Sequence, residues 1–392
     1  MADLTVHVDG MTLPNPFVIG SGPPGTNANV IGKAFDEGWG GVIAKTISLD
    51  ASKVINVAPR YARLRTKESR EIYGWQNIEL ISDRSFDLWL EEFRMLKDKY
   101  PNGCLIASVM EEYNKDAWVE LIERTQETGV DAFELNFSCP HGLPERKMGA
   151  AMGQDCDILE EVCGWVNEVA TIPVWAKMTP NVTHIEDPAR ASLKAGCEGV
   201  SAINTILSTT GVDLKTLRPE PTVEGYTVPG GYSCTAVRPI ALRMVMELAT
   251  MMYGGNSGQP IQEDGKIAIK GEYPDRSISA IGGVETGEDA AQFILLGGST
   301  VQVCTGVMKH GYAMVKDMCA QLSAFMDEHG FKSIEDFRGH SLQYFTTHAE
   351  LVRLQREAKE AKIAERKAKM VVEDAQWDGD GFVDQSDALS RD

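Results

Sequence analysis

Residues 174–204 read VWAKMTPNVTHIEDPARASLKAGCEGVSAIN, and this stretch decides the fold class. A short apolar run at 174–178 is followed by a helical pattern at 187–195 and a second short run at 199–204. Two strands joined through a helix need a long crossover, so they lie parallel in one sheet. The unit recurs in both directions. Strand candidates at 17–19, 41–45, 104–109 and 131–137 precede it, and 278–281 and 300–304 follow it. Helical stretches near 27–38, 86–99, 115–128, 156–169, 238–252, 286–296 and 311–329 separate them. Eight such units, with helices long enough to shield a sheet, predict an α/β fold closed as a (β/α)8 TIM barrel, with an open doubly wound sheet as the rival.

Outward from the barrel, Leu4–Val8 and Met11–Leu13 flank Asp9-Gly10, a strong two-residue hairpin signal, and such an N-terminal hairpin could plug the barrel bottom. Two Gly-rich stretches, 206–237 and 254–276, break the rhythm and are expected to be long irregular loops, either lids or surface insertions. From about 350 the chain turns to Ala, Lys, Glu and Arg. We divide it into a barrel with its hairpin at 1–340 and a charged C-terminal extension at 341–392, helical and then flexible. Residues 376–387 come near a calcium loop, but Gln376 stands at the first ligand position and only five residues follow, so no metal site is expected.

The chain has 392 residues, 43% hydrophobic and 24% charged, enough for one barrel of about 250 residues with extensions. Its formal charge of −19 repels phosphate backbones and anionic lipid, so neither nucleic acid nor membrane is an expected partner. No apolar run approaches the length of a transmembrane helix. Met1-Ala-Asp-Leu-Thr-Val-His-Val has neither the pattern of a secretion signal nor that of a transit peptide, so a cytoplasmic protein or a missing leader is expected. The 8 cysteines include no CxxC pair, which argues against zinc ribbons and clustered iron–sulfur ligation and for a reducing compartment.

Polar and glycine residues gather at the C-terminal ends of the strand candidates, the catalytic face of a barrel. They are Gly20-Ser21, Lys45-Thr46, Asn136, Lys177, Asn204-Thr205, Gly282-Gly283 and Cys304-Thr305. Gly20 to Gly25 formally reads GxGxxG. It lacks the acidic partner about 20 residues on, where Lys45-Thr46 stands, and its xx positions are prolines. These glycines suit the close approach of a flat ligand instead. Gly282-Gly283 and Thr305-Gly306 suit a phosphate held by backbone N–H groups. Lys45 and Lys177 end buried strands, and a flavin, anionic near its N1–C2 edge when reduced, accounts for both; a snorkelling surface lysine is the plainer alternative for each. Asn77, Glu79, Asn136, Asn204 and Thr205 offer donors and acceptors that complement the edge of a pyrimidine ring. Cys139, followed by a Gly/Pro-punctuated segment, is a thiol able to donate a proton at neutral pH.

Asn-Phe-Ser-Cys-Pro-His-Gly at 136–142, Ala-Lys-Met-Thr-Pro-Asn at 176–181, Ala-Ile-Asn-Thr at 202–205 and Gly-Gly-Val at 282–284 resemble the flavin-mononucleotide barrel of the dihydropyrimidine dehydrogenases. Ala-Lys-Thr at 44–46, Gln-Asn-Ile-Glu-Leu-Ile-Ser at 76–82 and Val-Cys-Thr-Gly at 303–306 fit the same pattern. The likeness spans roughly 4–330. It is nearest to the single-barrel form of plants and algae, which shares the Gly-His-Ser-Leu-Gln-Tyr-Phe stretch at 339–345. Class 1 dihydroorotate dehydrogenases are related barrels with a similar Ser-Cys-Pro segment.

The resemblance implies reduction of uracil and thymine to 5,6-dihydropyrimidines, with hydride from flavin N5 to C6 and a proton from Cys139 to C5. Asn77, Glu79, Asn136, Asn204 and Thr205 match positions that hold the base. Gly20, Ser21, Lys45, Thr46, Asn136, Lys177, Asn204, Gly282, Gly283, Cys304 and Thr305 match flavin contacts. The cofactor implied is FMN, with NADPH as electron donor, directly or through a partner. A soluble homodimer, in a plastid by the same resemblance, is expected. The alternatives are a dihydroorotate dehydrogenase and a non-catalytic electron-transfer flavoprotein subunit. Cys234 stands where the animal enzymes have glycine, and their iron–sulfur and FAD modules have no counterpart motifs here.

Overall fold

The computed structural model describes residues 2–138, 148–254 and 271–375. Eight strands form one closed parallel barrel. They are β1 (Phe17–Ile19), β2 (Gly41–Ile43), β3 (Cys104–Val109), β4 (Ala132–Asn136), β5 (Val174–Lys177), β6 (Gly199–Ala202), β7 (Ser277–Ile281) and β8 (Thr300–Val303). Neighbours follow chain order. The ring closes where Val301, Gln302 and Val303 of β8 pair with Phe17, Val18 and Ile19 of β1, which excludes the open sheet.

The helices are α1 (Ala28–Glu37), α2 (Phe86–Lys99), α3 (Lys115–Gln126), α4 (Cys156–Val169), α5 (Glu186–Lys194), α6 (Arg238–Tyr253), α7 (Gly287–Leu295) and α8 (Met314–His329). Their starts are written locally. Asn27, Ser85, Asn114 and Asp155 each accept a backbone N–H of the first turn, and Thr286 with Asp289 makes a capping box on α7. Their inner faces recur at helical spacing, as with Leu159, Val162, Cys163 and Val166 on α4, all fully buried. Trp89 and Phe93 of α2 and Trp118 of α3 fill the layer between helices and barrel.

The hairpin forms as expected. Val6–Val8 pairs antiparallel with Met11–Leu13, and Asp9 and Gly10 take φ of 47° and 82°, the left-handed pair that a two-residue turn of this twist requires. Asp9 Oδ2 accepts from Trp175 Nε1 (2.6 Å) and Ser277 Oγ (2.5 Å), near the N-terminal ends of β5 and β7. The hairpin therefore closes the barrel bottom.

The expectation of an irregular loop at 206–237 is corrected. Ile206–Ser208 and Gly230–Ser233 join Ile72–Asn77 and Tyr61–Arg65 in a four-stranded antiparallel sheet. Its pairing partner comes from the β2–α2 connection, more than 130 residues away in the Gln76–Tyr232 register, so no local pattern announces it. Residues 255–270 of the second interruption and the calcium-like stretch 376–387 lie outside the described residues.

The chain divides into two units, and the described part of the second begins at Tyr344. Within the described part of the second, His348–Ala375 is a single helix whose first turns carry the Arg353–Glu350 and Arg353–Glu357 ion pairs. Among the described residues no helix is long and apolar enough to cross a membrane, and no group of three or more His, Cys, Asp or Glu is placed to hold a metal ion.

Candidate active site

The C-terminal ends of the strands open into a cavity of about 1210 Å³, counted to its open mouth. Ser21, Lys45, Thr46, Asn136 and Lys177 line one part of it. Asn204, Thr205, Gly282, Gly283, Cys304 and Thr305 line another, and Asn77 and Glu79 reach it from the second sheet and its exit. Gly20 is the exception. It does not line the cavity; its N–H pairs with Val303 O at 3.0 Å, and Ile281 Cδ1 would lie 2.8 Å from a Cβ added there. Gly22 takes the lining position instead.

Both lysines are buried, at 7% and 4% exposure, so neither is a snorkelling surface residue. Lys45 Nζ lies 3.1 Å from Glu79 Oε1. Arg60 approaches the same oxygen at 3.2 Å, and Tyr61 donates its hydroxyl to Glu79 Oε2 at 2.8 Å. Burial, then the Glu79 carboxylate, push the Tyr61 phenol well above its usual range, so it remains a donor. Lys177 Nζ donates to Gln302 Oε1 at 2.8 Å and sits 3.2 and 3.3 Å from the Glu134 oxygens.

A chain of short polar side chains fixes the amides. Asn136 Nδ2 donates to Thr46 Oγ1 (2.9 Å), which is also bonded to Ser21 Oγ (3.2 Å) and Ser108 Oγ (2.8 Å). Asn136 Oδ1 accepts from Ser138 N and Oγ, and Asn204 Nδ2 donates to Ser138 Oγ at 2.6 Å. The N–H of Thr205 holds Asn204 Oδ1 at 2.7 Å. The amides are thus preset rather than free to rotate. Asn77 Nδ2 donates to Gly231 O at 3.3 Å. Ser233 Oγ bonds Thr305 Oγ1 at 2.9 Å and ties the second sheet to the end of β8. Burial pushes the Cys304 thiol up to about 11, so it is a neutral wall group. The described chain stops at Ser138 on this side, and Cys139 lies outside the described residues.

The donor set suits a flat heterocycle with an anionic end. Two buried ammonium groups and paired amides serve its polar edges, while Ile203, Ile281, Val303 and Trp75 supply apolar walls. Gly282 and Gly283, with φ of 152° and 71°, turn the backbone at the cavity wall in a way that side-chain-bearing residues resist. These residues fit a flavin.

Sequence reasoning missed several residues of the site. Tyr61, Trp75, Tyr232 and Ser233 come from the unanticipated sheet. Glu134 and Gln302 had a readable signal: each is a polar residue between two apolar neighbours in its strand, AFELN and TVQV.

The model of the family described as dihydroorotate dehydrogenase matches residues 3–326. The chain belongs to the dihydroorotate dehydrogenase family. Within it, the chain is 63% identical over 392 residues to the chloroplastic dihydropyrimidine dehydrogenase (NADP(+)) of Arabidopsis thaliana, covering 99% of this chain and 88% of that one. It is 40% identical over 337 residues to the NAD-dependent dihydropyrimidine dehydrogenase subunit PreA of Escherichia coli K12, covering 86% and 76%. Among solved structures, a dihydroorotate dehydrogenase from Eimeria tenella in complex with ferulenol superposes with a TM-score of 0.68. That match is 20% identical and covers 86% and 88% of the two chains, a likeness of fold alone.

Proposed function

We propose that the protein is an FMN-dependent dihydropyrimidine dehydrogenase that reduces uracil and thymine to their 5,6-dihydro forms with NADPH. The observation that carries this reading is the meeting of two buried lysines and the pyrimidine-complementary amides in one cavity. The 63% identity to a dihydropyrimidine dehydrogenase supports it over orotate chemistry, and preset amides have no purpose in a bare electron carrier.

When bound, FMN supplies hydride transfer between NADPH and C6 of the base. Lys45 and Lys177 place positive charge at the cofactor's polar edge, and Ser21, Thr46 and Cys304 complete its surroundings. Backbone N–H groups at Gly282 and Gly283, with the Thr305 hydroxyl, would hold its phosphate, and Gly20 and Ser21 would mark its approach at the end of β1. Asn77, Glu79, Asn136, Asn204 and Thr205 orient the base by matching its alternating N–H and C=O edge. Cys139 gives its thiol proton to C5 of the base. Residues 1–340 form the catalytic unit and 341–392 the extension. The working form is a homodimer, in a plastid as the chloroplastic relative's name suggests.

The experiment is to purify the chain, record its flavin absorbance, and mix it anaerobically with NADPH and then with uracil. Flavin bleaching by NADPH and recovery with uracil, but not with orotate, is expected. Colourless protein would refute the reading. A flavin that NADPH leaves oxidised but dihydrouracil reduces would mean a partner subunit delivers the electrons. In the reducing direction, activity should fall as pH rises through the thiol pKa, because the protonated form is required; oxidation of dihydrouracil should show the opposite limb.

A further inference from the structure

The consecutive strands β4 and β5 and the distant β8 bring Glu134, Lys177 and Gln302 together under the cavity. All three line it, and each is at most 4% exposed. Gln302 Nε2 donates to Glu134 Oε2 at 2.9 Å and to Ser279 Oγ at 2.8 Å, while its Oε1 takes Lys177 at 2.8 Å. Ser201 Oγ lies 3.2 Å from the same amide nitrogen. Layers inside such barrels are ordinarily filled by Val, Ile and Leu. Stability does not account for a charged layer here, because a buried ion pair is no more stabilising than well-packed apolar residues of the same volume.

We propose that Glu134 and Gln302 are positioning residues that set, through Lys177, how strongly the cavity favours the reduced over the oxidised flavin. The inference rests on the reading of the cavity as a flavin site. The Lys177 ammonium has three N–H groups. One reaches Gln302 Oε1, and the others face the two Glu134 oxygens at longer range, on a side chain that lines the cavity. Gln302 holds the ammonium at 2.8 Å while both carboxylate oxygens stay beyond 3.1 Å. The amide thus keeps the cation partly drawn off its counter-ion, on a side chain that faces the cavity. Reduction adds two electrons and one proton to a flavin, a net gain of one negative charge near its pyrimidine-side edge. An ammonium at that edge favours the gain, and a carboxylate behind the ammonium opposes it.

The two residues therefore act with opposite sign. Glu134→Gln removes the opposing charge. Gln302→Met keeps both charges but releases the ammonium to close on Glu134. The test is the midpoint potential of the FMN-loaded protein, reduced anaerobically by xanthine and xanthine oxidase against a reference dye. Glu134→Gln should shift the equilibrium at least tenfold toward reduced flavin, about 30 mV upward for this two-electron couple. Gln302→Met should shift it severalfold toward oxidised flavin. General damage to the barrel would move both variants the same way. Shifts of equal sign, or potentials unchanged in either variant that carries flavin, overturn the proposal while leaving the flavin site intact. Wild-type protein without flavin absorbance overturns the underlying reading instead. If Glu134→Gln does not fold, the sign of the Gln302→Met shift decides alone.

Discussion

The two ends of the barrel are built from the same strands and do different work. On β5, Trp175 faces the bottom network and Lys177 the top one, two residues apart on the same inward side. On β7, Ser277 bonds Asp9 below while Ser279 bonds Gln302 above. At the bottom, Asp9 is shared between an indole N–H and a hydroxyl, and a hairpin seals the opening. At the top, polar side chains face a cavity. The difference teaches that a polar group inside a barrel is not by itself a site. The bottom carboxylate meets an indole and a hydroxyl beneath a sealing hairpin, whereas the top ammonium sits on a side chain that lines a cavity.

If the ends are divided in this way, variants at the top should change chemistry and spare stability, and variants at the bottom the reverse. The largest effect is expected for Cys139→Ala. Uracil reduction should fall by about 10²–10⁴-fold, the range for a positioned acid, with flavin content and Tm kept. Near-normal turnover would remove Cys139 from the mechanism.

Trp175→Ala is the matching test below. It removes a fully buried indole and the Asp9 bond, and should lower unfolding free energy by about 3–5 kcal/mol, measured by urea denaturation. A variant that keeps its stability but loses turnover would break the division.

Asn136→Ala and Asn204→Ala come next. Each leaves polar groups of the base unpaired in a buried setting, a loss of about 1–3 kcal/mol of binding. The KM for uracil should rise with flavin retained; normal uracil binding in both would place the base elsewhere.

The smallest effect concerns Asp9. Burial raises its carboxyl above the usual 3.8, outweighing the bonds from Ser277 and Trp175. Between 3.8 and the raised value the folded chain binds more protons than the unfolded one, so this group's contribution to stability falls as pH rises through that window. Asp9→Asn keeps an acceptor oxygen and sheds the charge. Its Tm between pH 4 and 7 should lose that component, and its kcat should match wild type.

Strand and helix positions were legible because each is a local pattern. All eight barrel strands and the helices between them fall where apolar runs and helical spacing put them, and the Asp9-Gly10 turn follows from two residues. The rim residues were legible because the C-terminal ends of barrel strands are a known address. That Gly20 stands back from the cavity lining was not legible, because it depends on how Ile281 of a distant strand packs. The four-stranded sheet was missed because its short strands carry no clear alternation until a distant partner sets their register.

The sequence by itself determined the barrel, its order and the kinds of side chain offered at its mouth, since these depend on periodicity and on which residue ends each strand. Only the tertiary structure decided which of those side chains are spent on one another. Lys177 meets Glu134 across 43 residues and Gln302 across 125, and Glu79 gathers Lys45, Arg60 and Tyr61. Such pairings depend on barrel closure and inward direction, and no run of neighbouring residues encodes them. The availability of a charge is a property of its partners in space.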